Sequence, residues 1–341
     1  MKLMTVTGPV DTQKMGITLS HDHLFIDLRN QFTEFKDPEK QRISRQILGM
    51  ENLGTVRLNP HAIKDNLVLD DVELAIQETQ RFKTSGGSTI VDCTSAGINR
   101  NPGKLREVAL RTGLNIVAGC GYYTHDTHPA EMDGWSAEEI ADRMVGELTV
   151  GIDGTDIKAG VIGEIGTSNP IHPNERKNLV ATGLAFKQTG AAVQVHTDPW
   201  GRFGLEIVDL LINRGGIPPK IVICHADVQI DLPYIRSLLK REVFVEFDNF
   251  GKEFYVDRLR TFSRDIERVR TIKTLLNEGY EKQILITNDI CLKSMLHRYG
   301  GWGYDHILNN IVPMMCEQDI DAETINLFLQ DNPRRLYEMS I

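Results

Sequence analysis

No stretch of this sequence is apolar for long enough to cross a membrane, and none is basic for long enough to follow a nucleic acid backbone. The formal net charge is -9, spread without an acidic tail, which argues against nucleic acid and anionic membranes as partners. Cysteine is scarce: the 5 residues, Cys93, Cys120, Cys224, Cys291 and Cys316, are odd in number and far apart. That spacing supports no disulfide framework, and the first three sit in apolar runs where buried thiols are common. Gly8-Pro9 interrupts the N-terminus before a signal-peptide core can form, so a cytoplasmic protein is expected. A Gly-x-Gly-x-x-Gly turn after the first strand is also missing, which removes the main support for a dinucleotide site.

What the chain does have is core material: 41% of its 341 residues are hydrophobic, enough for one domain over 1–341. Its organising stretch is Gly16-Ile17-Thr18-Leu19-Ser20-His21-Asp22-His23, an apolar run ending in two histidines one residue apart. Side chains alternate along a strand, so His21 and His23 share a face and Asp22 takes the other. Seven further short apolar runs follow, at 88–93, 115–120, 159–164, 191–196, 220–225, 243–247 and 283–289. Between them lie segments of helical period, such as Val72, Ala75, Ile76, Thr79 and Phe82, closed by Gly86-Gly87. Apolar runs rather than alternation indicate parallel strands covered on both faces. Eight strand–helix units predict an α/β fold, a (β/α)8 TIM barrel with C-terminal capping helices. The segment between the first strand and its helix, Asp27 to Leu69, is unusually long, and is expected to shape the pocket.

Six residues of metal-ligand type end these runs: His21 and His23, Glu164, His196, His225 and Asp289, after predicted strands one, four, five, six and eight. A barrel gathers those ends in one mouth. Four imidazoles and two carboxylates suit Zn²⁺, or else Mn²⁺, Fe²⁺ or Co²⁺. Glu164 can give one oxygen to each of two ions ~3.5–4 Å apart, which together hold a bridging hydroxide as nucleophile. Asp289 can accept its proton and deliver it to the leaving group. The expected cofactors are therefore two divalent metal ions, and the expected reaction is hydrolysis of a small molecule.

The motifs resemble the phosphotriesterase-related family of the amidohydrolase superfamily. The resemblance runs through Gly16–His23, Gly87–Asp92 with Gly97-Ile-Asn-Arg100, Gly119–Tyr123, Ala159–Thr167, Val195-His-Thr197, Cys224-His-Ala-Asp227, Phe250-Gly-Lys252, and Asp289 with Tyr299–Tyr304. It implies that His21, His23 and Asp289 hold one ion and His196 with His225 the other. Most members bridge the ions with a carboxylated lysine; Glu164 stands there, similar to the branch that bridges with glutamate and needs no carbon dioxide. Phosphotriesterases proper carry a proton-relaying His after strand seven, where this chain aligns Asn249, following Asp248. Related lactonases place a tyrosine after strand three near the substrate carbonyl, matched by Tyr123. The resemblance also implies a homodimer.

Candidate anion contacts are Lys252, Arg268, Lys293 and Arg298, whereas His125 and His128 read as solvent-exposed loop histidines. The leading expectation is hydrolysis of a carbonyl ester, a lactone, including phosphorylated sugar lactones. The alternatives are an amidase acting on an N-acylated small molecule and a phosphoester or phosphotriester hydrolase. A mononuclear deaminase is disfavoured, because His196-Thr-Asp-Pro-Trp200 lacks the glutamate those enzymes place shortly after the strand-five histidine.

Overall fold

The computed structural model describes residues 1–256 and 260–339. Eight parallel strands form the central sheet: β1 (Ile17–Asp22), β2 (Gly87–Asp92), β3 (Asn115–Cys120), β4 (Val161–Gly166), β5 (Val193–His196), β6 (Ile221–Ile223), β7 (Phe244–Phe247) and β8 (Ile284–Ile286). Each pairs with its neighbours in chain order. The helices α1 (Val72–Thr84), α2 (Pro102–Thr112), α3 (Ala137–Thr149), α4 (Pro173–Thr189), α5 (Gly204–Asn213), α6 (Leu232–Leu239) and α7 (Asp265–Leu276) connect them. Beyond β8 and β1 the chain closes the ring with His23 N–H donating to Ile290 O at 3.1 Å and Asp289 N–H to His21 O at 3.2 Å. This is the expected TIM barrel.

Alternation within each strand builds two cores. Ile90, Ile116, Ile162, Ile223, Val245 and Ile286 face outward against the helices. Val91, Val117, Val161, Val222, Phe244 and Leu285 face the barrel axis. Burying each such side chain stabilises the fold by ~1.5–3 kcal/mol. The axial core is plugged at the N-terminal end of the strands by Leu3, from the hairpin Lys2–Thr5 and Gly8–Asp11, and by Leu336 and Tyr337 of the last helix. The hairpin is absent from the sequence reading because Gly-Pro leaves its second strand without an apolar pattern.

The long segment after β1 carries the helices Pro38–Ser44 and Leu53–Leu58, with a small core of Leu48, Val56 and Ile63. It is tied back by antiparallel pairing of Ile26–Asp27 with Val68–Leu69. Leu28, Gln31, Pro60 and His61 bring it to the wall of the mouth, as expected of a pocket-shaping insertion. Among the described residues no helix is long and apolar enough to cross a membrane.

Candidate active site

Two strand irregularities aim the site. Between Leu19 and Asp22 the register of β1 against β2 shifts, so Leu19 packs outward while Ser20 and His21 both reach Glu246 inside the barrel. Between Ile162 and Ile165 the register of β4 against β5 shifts as well. Gly163 lies there with φ +133°, and a Cβ on it would meet Gln194 O at 2.4 Å. Only glycine lets β4 approach β5 this closely and present Glu164 to the mouth.

The six residues singled out at the strand ends come together. Glu164 Oε1 lies 3.4 Å from His23 Nε2, and Oε2 lies 3.2 Å from His196 Nδ1, 3.3 Å from His225 Nε2 and 3.6 Å from His21 Nε2. Asp289 Oδ1 is 3.2 Å from His23 Nε2 and 3.8 Å from His21 Nε2. Ligand atoms of His21, His23 and Glu164 fall within 4.8 Å of one another, and so do those of Glu164, His196 and His225. Glu164 thus belongs to both clusters. The remaining ring nitrogens are held from behind: His21 Nδ1 on Glu246 Oε2 at 3.2 Å, His23 Nδ1 on Thr94 Oγ1 at 2.9 Å, and His225 Nδ1 on Asp248 Oδ1 at 3.1 Å.

Burial favours neutral groups here, and the neighbours decide the outcome. Burial lowers the His225 imidazole, but Asp248 and Glu164 outweigh it and raise it to about 10. His23 is likewise driven down by burial and raised to about 9 by Asp289 and Glu164. Burial pushes the Asp289 carboxyl up, yet Lys252, His23 and His21 hold it well below its ordinary range. Burial dominates at His196, which is lowered, and at Asp248, which is raised to about 7. The cluster is therefore a set of buried carboxylates balanced by imidazolium.

Such a donor set fits divalent cations, which replace the imidazolium protons. His21 Nε2 carries the argument: it is fully buried, aims into the cluster and has no hydrogen-bond partner among the described residues. Neutral histidine nitrogens and carboxylate oxygens are ligand types for Zn²⁺, Mn²⁺, Fe²⁺ and Co²⁺ alike.

The site opens into a cavity of about 330 Å³ whose lining includes Trp200, Val228, Phe254 and Phe262. Tyr123 lines it, with its hydroxyl 3.2 Å from His196 Nδ1. Lys252 lines it too, and its buried ammonium donates to Asp289 Oδ2. Asn249 also reaches the lining, while its amide donates to Asp227 Oδ1 at 2.8 Å.

Arg268 and Lys293, also expected as anion contacts, are not among the residues lining this cavity. Arg268 is fully buried beside it, on Asp227 at 2.7 Å and Asp265 at 2.9 Å, so its charge is spent inside the protein. Lys293 pairs with Asp65 of the insertion at 2.6 Å. Arg298 is exposed elsewhere. His128 is half-buried rather than exposed, with Nε2 on Tyr123 O at 2.7 Å, whereas His125 is exposed.

Glu246 and Asp248 were not legible as site residues. One signal was present: a glutamate in the apolar run Val243-Phe-Val-Glu-Phe247 is a charge bound for burial.

With this geometry in view, comparison with known proteins is decisive about class. Residues 1–337 match the model of the phosphotriesterase family. The chain is 35% identical over 340 residues to an N-acetyltaurine hydrolase of Xenopus tropicalis, covering 98% of this chain and 97% of that one. It is also similar to a resiniferatoxin-binding protein from Rhodobacter sphaeroides, with TM-score 0.97 and 36% identity over 99% of this chain and 95% of that one. The lactonase Lmo2620 from Listeria monocytogenes aligns with TM-score 0.80 and 25% identity over 100% of both chains. Fold and relatives together define a hydrolase whose barrel mouth gathers a cluster of groups that could hold metal ions. This chain belongs to the phosphotriesterase family.

Proposed function

We propose that this chain is a binuclear metal-dependent amidohydrolase that cleaves the N-acyl bond of a small anionic molecule. The observation that carries the reading is the Lys252 ammonium, buried in the cavity wall beside Asp289. An ammonium has three donors, and one not used by Asp289 or Cys291 is available to a sulfonate or carboxylate of the substrate. The full-length similarity to an N-acetyltaurine hydrolase, whose named substrate is an N-acyl aminosulfonate, supports the same choice.

His21, His23 and Asp289 would hold one ion, and His196 with His225 the other, with Glu164 shared. Ions bound there polarise a substrate carbonyl and lower the pKa of water toward neutrality. The chain's own groups do the rest. Asp289 accepts a proton at a carboxylate oxygen and passes it to the departing nitrogen, a step that an amide requires because an unprotonated amine anion is a poor leaving group. Lys252 fixes the anionic end, and Trp200, Phe254 and Phe262 of the lining exclude water and receive the apolar part of the substrate.

A second reading, lactone hydrolysis, is favoured by Tyr123, whose hydroxyl reaches the cavity as a donor for a carbonyl oxygen, and by the likeness to a lactonase. The test is product release by protein loaded with Zn²⁺ or Mn²⁺, run on N-acetyltaurine, N-acyl amino acids, sugar lactones with and without phosphate, and phosphoesters. Free amine from the anionic amides is the expected result. Turnover confined to lactones would replace the first reading by the second.

A further inference from the structure

Beneath the mouth lies a buried polar network that the hydrolytic reading leaves unused. Glu246 of β7 is fully buried among the axial side chains. Its Oε1 accepts from Ser20 Oγ at 2.6 Å, and its Oε2 is 3.2 Å from His21 Nδ1, 3.4 Å from Cys224 Sγ and 3.5 Å from Gln194 Nε2. Ser20 Oγ, Cys224 Sγ and the Gln194 amide all donate to it. No cationic side chain of lysine or arginine is among these partners.

A carboxylate ringed by donors is an acceptor only, so His21 must carry a proton on Nδ1. Nε2 then faces the mouth, where among the described residues it is a buried ring nitrogen without a hydrogen-bond partner. Glu246 touches neither His23, held by Thr94, nor His225, held by Asp248, nor His196. Its reach within the histidine set is confined to one ring.

We infer that Glu246 is the positioning residue of the ion site built by His21, His23 and Asp289: it fixes the His21 tautomer, aligns the ring and supplies an uncancelled negative charge behind it. The consequence rests on the binuclear reading, and it is asymmetric. Loss of the Glu246 charge weakens one ion site and leaves the one at His196 and His225 in place. Outer carboxylates of this kind typically change metal affinity 10- to 100-fold.

Glu246→Gln keeps the side-chain shape and one oxygen while removing the charge. The measurement is stepwise Zn²⁺ binding to wild type and E246Q by chelator competition, with metal content counted per chain and no substrate present. The expected result is two ions in the wild type, and in E246Q one ion bound as before and one weakened ~10- to 100-fold. Equal affinities in both proteins, or equal weakening of both sites, would overturn the inference. A wild type that binds no ion would overturn this and the binuclear reading together. Three ions in the wild type with one lost in E246Q would also overturn it, because His21, Cys224, Glu246 and Asp248, whose ligand atoms lie within 4.8 Å, would then be a metal site themselves.

Should E246Q fail to fold, Co²⁺-loaded wild type decides. A hyperfine-shifted, exchangeable Nδ1–H signal from His21 is expected, and a His21 ring bound through Nδ1 would contradict the assignment.

Discussion

Lys252 and Glu164 carry the account at the scale of single residues, and they fail in different ways when altered. Lys252→Met removes the only lysine among the described residues of the cavity wall. A charge-assisted hydrogen bond contributes about 1.5–3 kcal/mol, so KM for anionic amides should rise ~10- to 100-fold. A neutral ester should lose far less, and equal losses for both would show that Lys252 acts on Asp289 rather than on the substrate. Glu164→Ala should abolish turnover and leave fewer than two ions per chain by metal analysis, since Glu164 belongs to both ligand clusters. Bridging by a glutamate also needs no lysine carboxylation, so bicarbonate should not stimulate recovery of metal-free protein.

Elements, rather than residues, place Arg268. The side chain on α7 grips Asp227 after β6 and donates to Lys252 O after β7, so it fastens the helix to two loops of the mouth. Arg268→Met removes the guanidinium from two buried carboxylates, leaving Asp227 with Asn249 and Asp265 with His306 and Gly251 N–H, and should destabilise the fold by about 3–5 kcal/mol in denaturant titration, with KM unchanged in whatever stays folded. A KM effect without loss of stability would restore the substrate contact expected from sequence. The strands themselves were legible because parallel strands covered on both faces are continuous apolar runs: the run at 115–120 is β3 residue for residue. The residues of the candidate cluster were legible because they terminate such runs. Their hydrogen-bond partners were not, since which carboxylate lies behind which imidazole depends on the stagger between β1 and β7, distant in sequence and offset further by the irregularity at Leu19–Asp22. The pairing of Arg268 was not legible for the same reason: a helix position near the mouth says nothing of whether Asp227, from another loop, and Asp265, one turn back, already hold its charge.

Across the whole molecule, the buried charges tie stability to metal and to pH. In the metal-free chain His23 and His225 are raised to about 9 and about 10, above the ordinary 6.5. A raised folded-state value contributes stability that is full below the unfolded value and is lost as pH climbs through the folded one. Metal-free protein should therefore lose melting temperature from about pH 6.5 to pH 10, whereas loaded protein, whose histidines are neutral ligands, should not. The gap in Tm between the two forms widens with pH, and a constant gap would mean that the imidazoles are neutral before the ions arrive. The central claim, two divalent ions held by His21, His23, Glu164, His196, His225 and Asp289 in one mouth, is tested most directly by equilibrium metal content. Metal-free protein dialysed against Zn²⁺ or Mn²⁺ in carbonate-free buffer should take up two ions per chain, and hydrolysis should appear in step with them. One ion per chain with full activity, or uptake of the second only when bicarbonate is added, would contradict it.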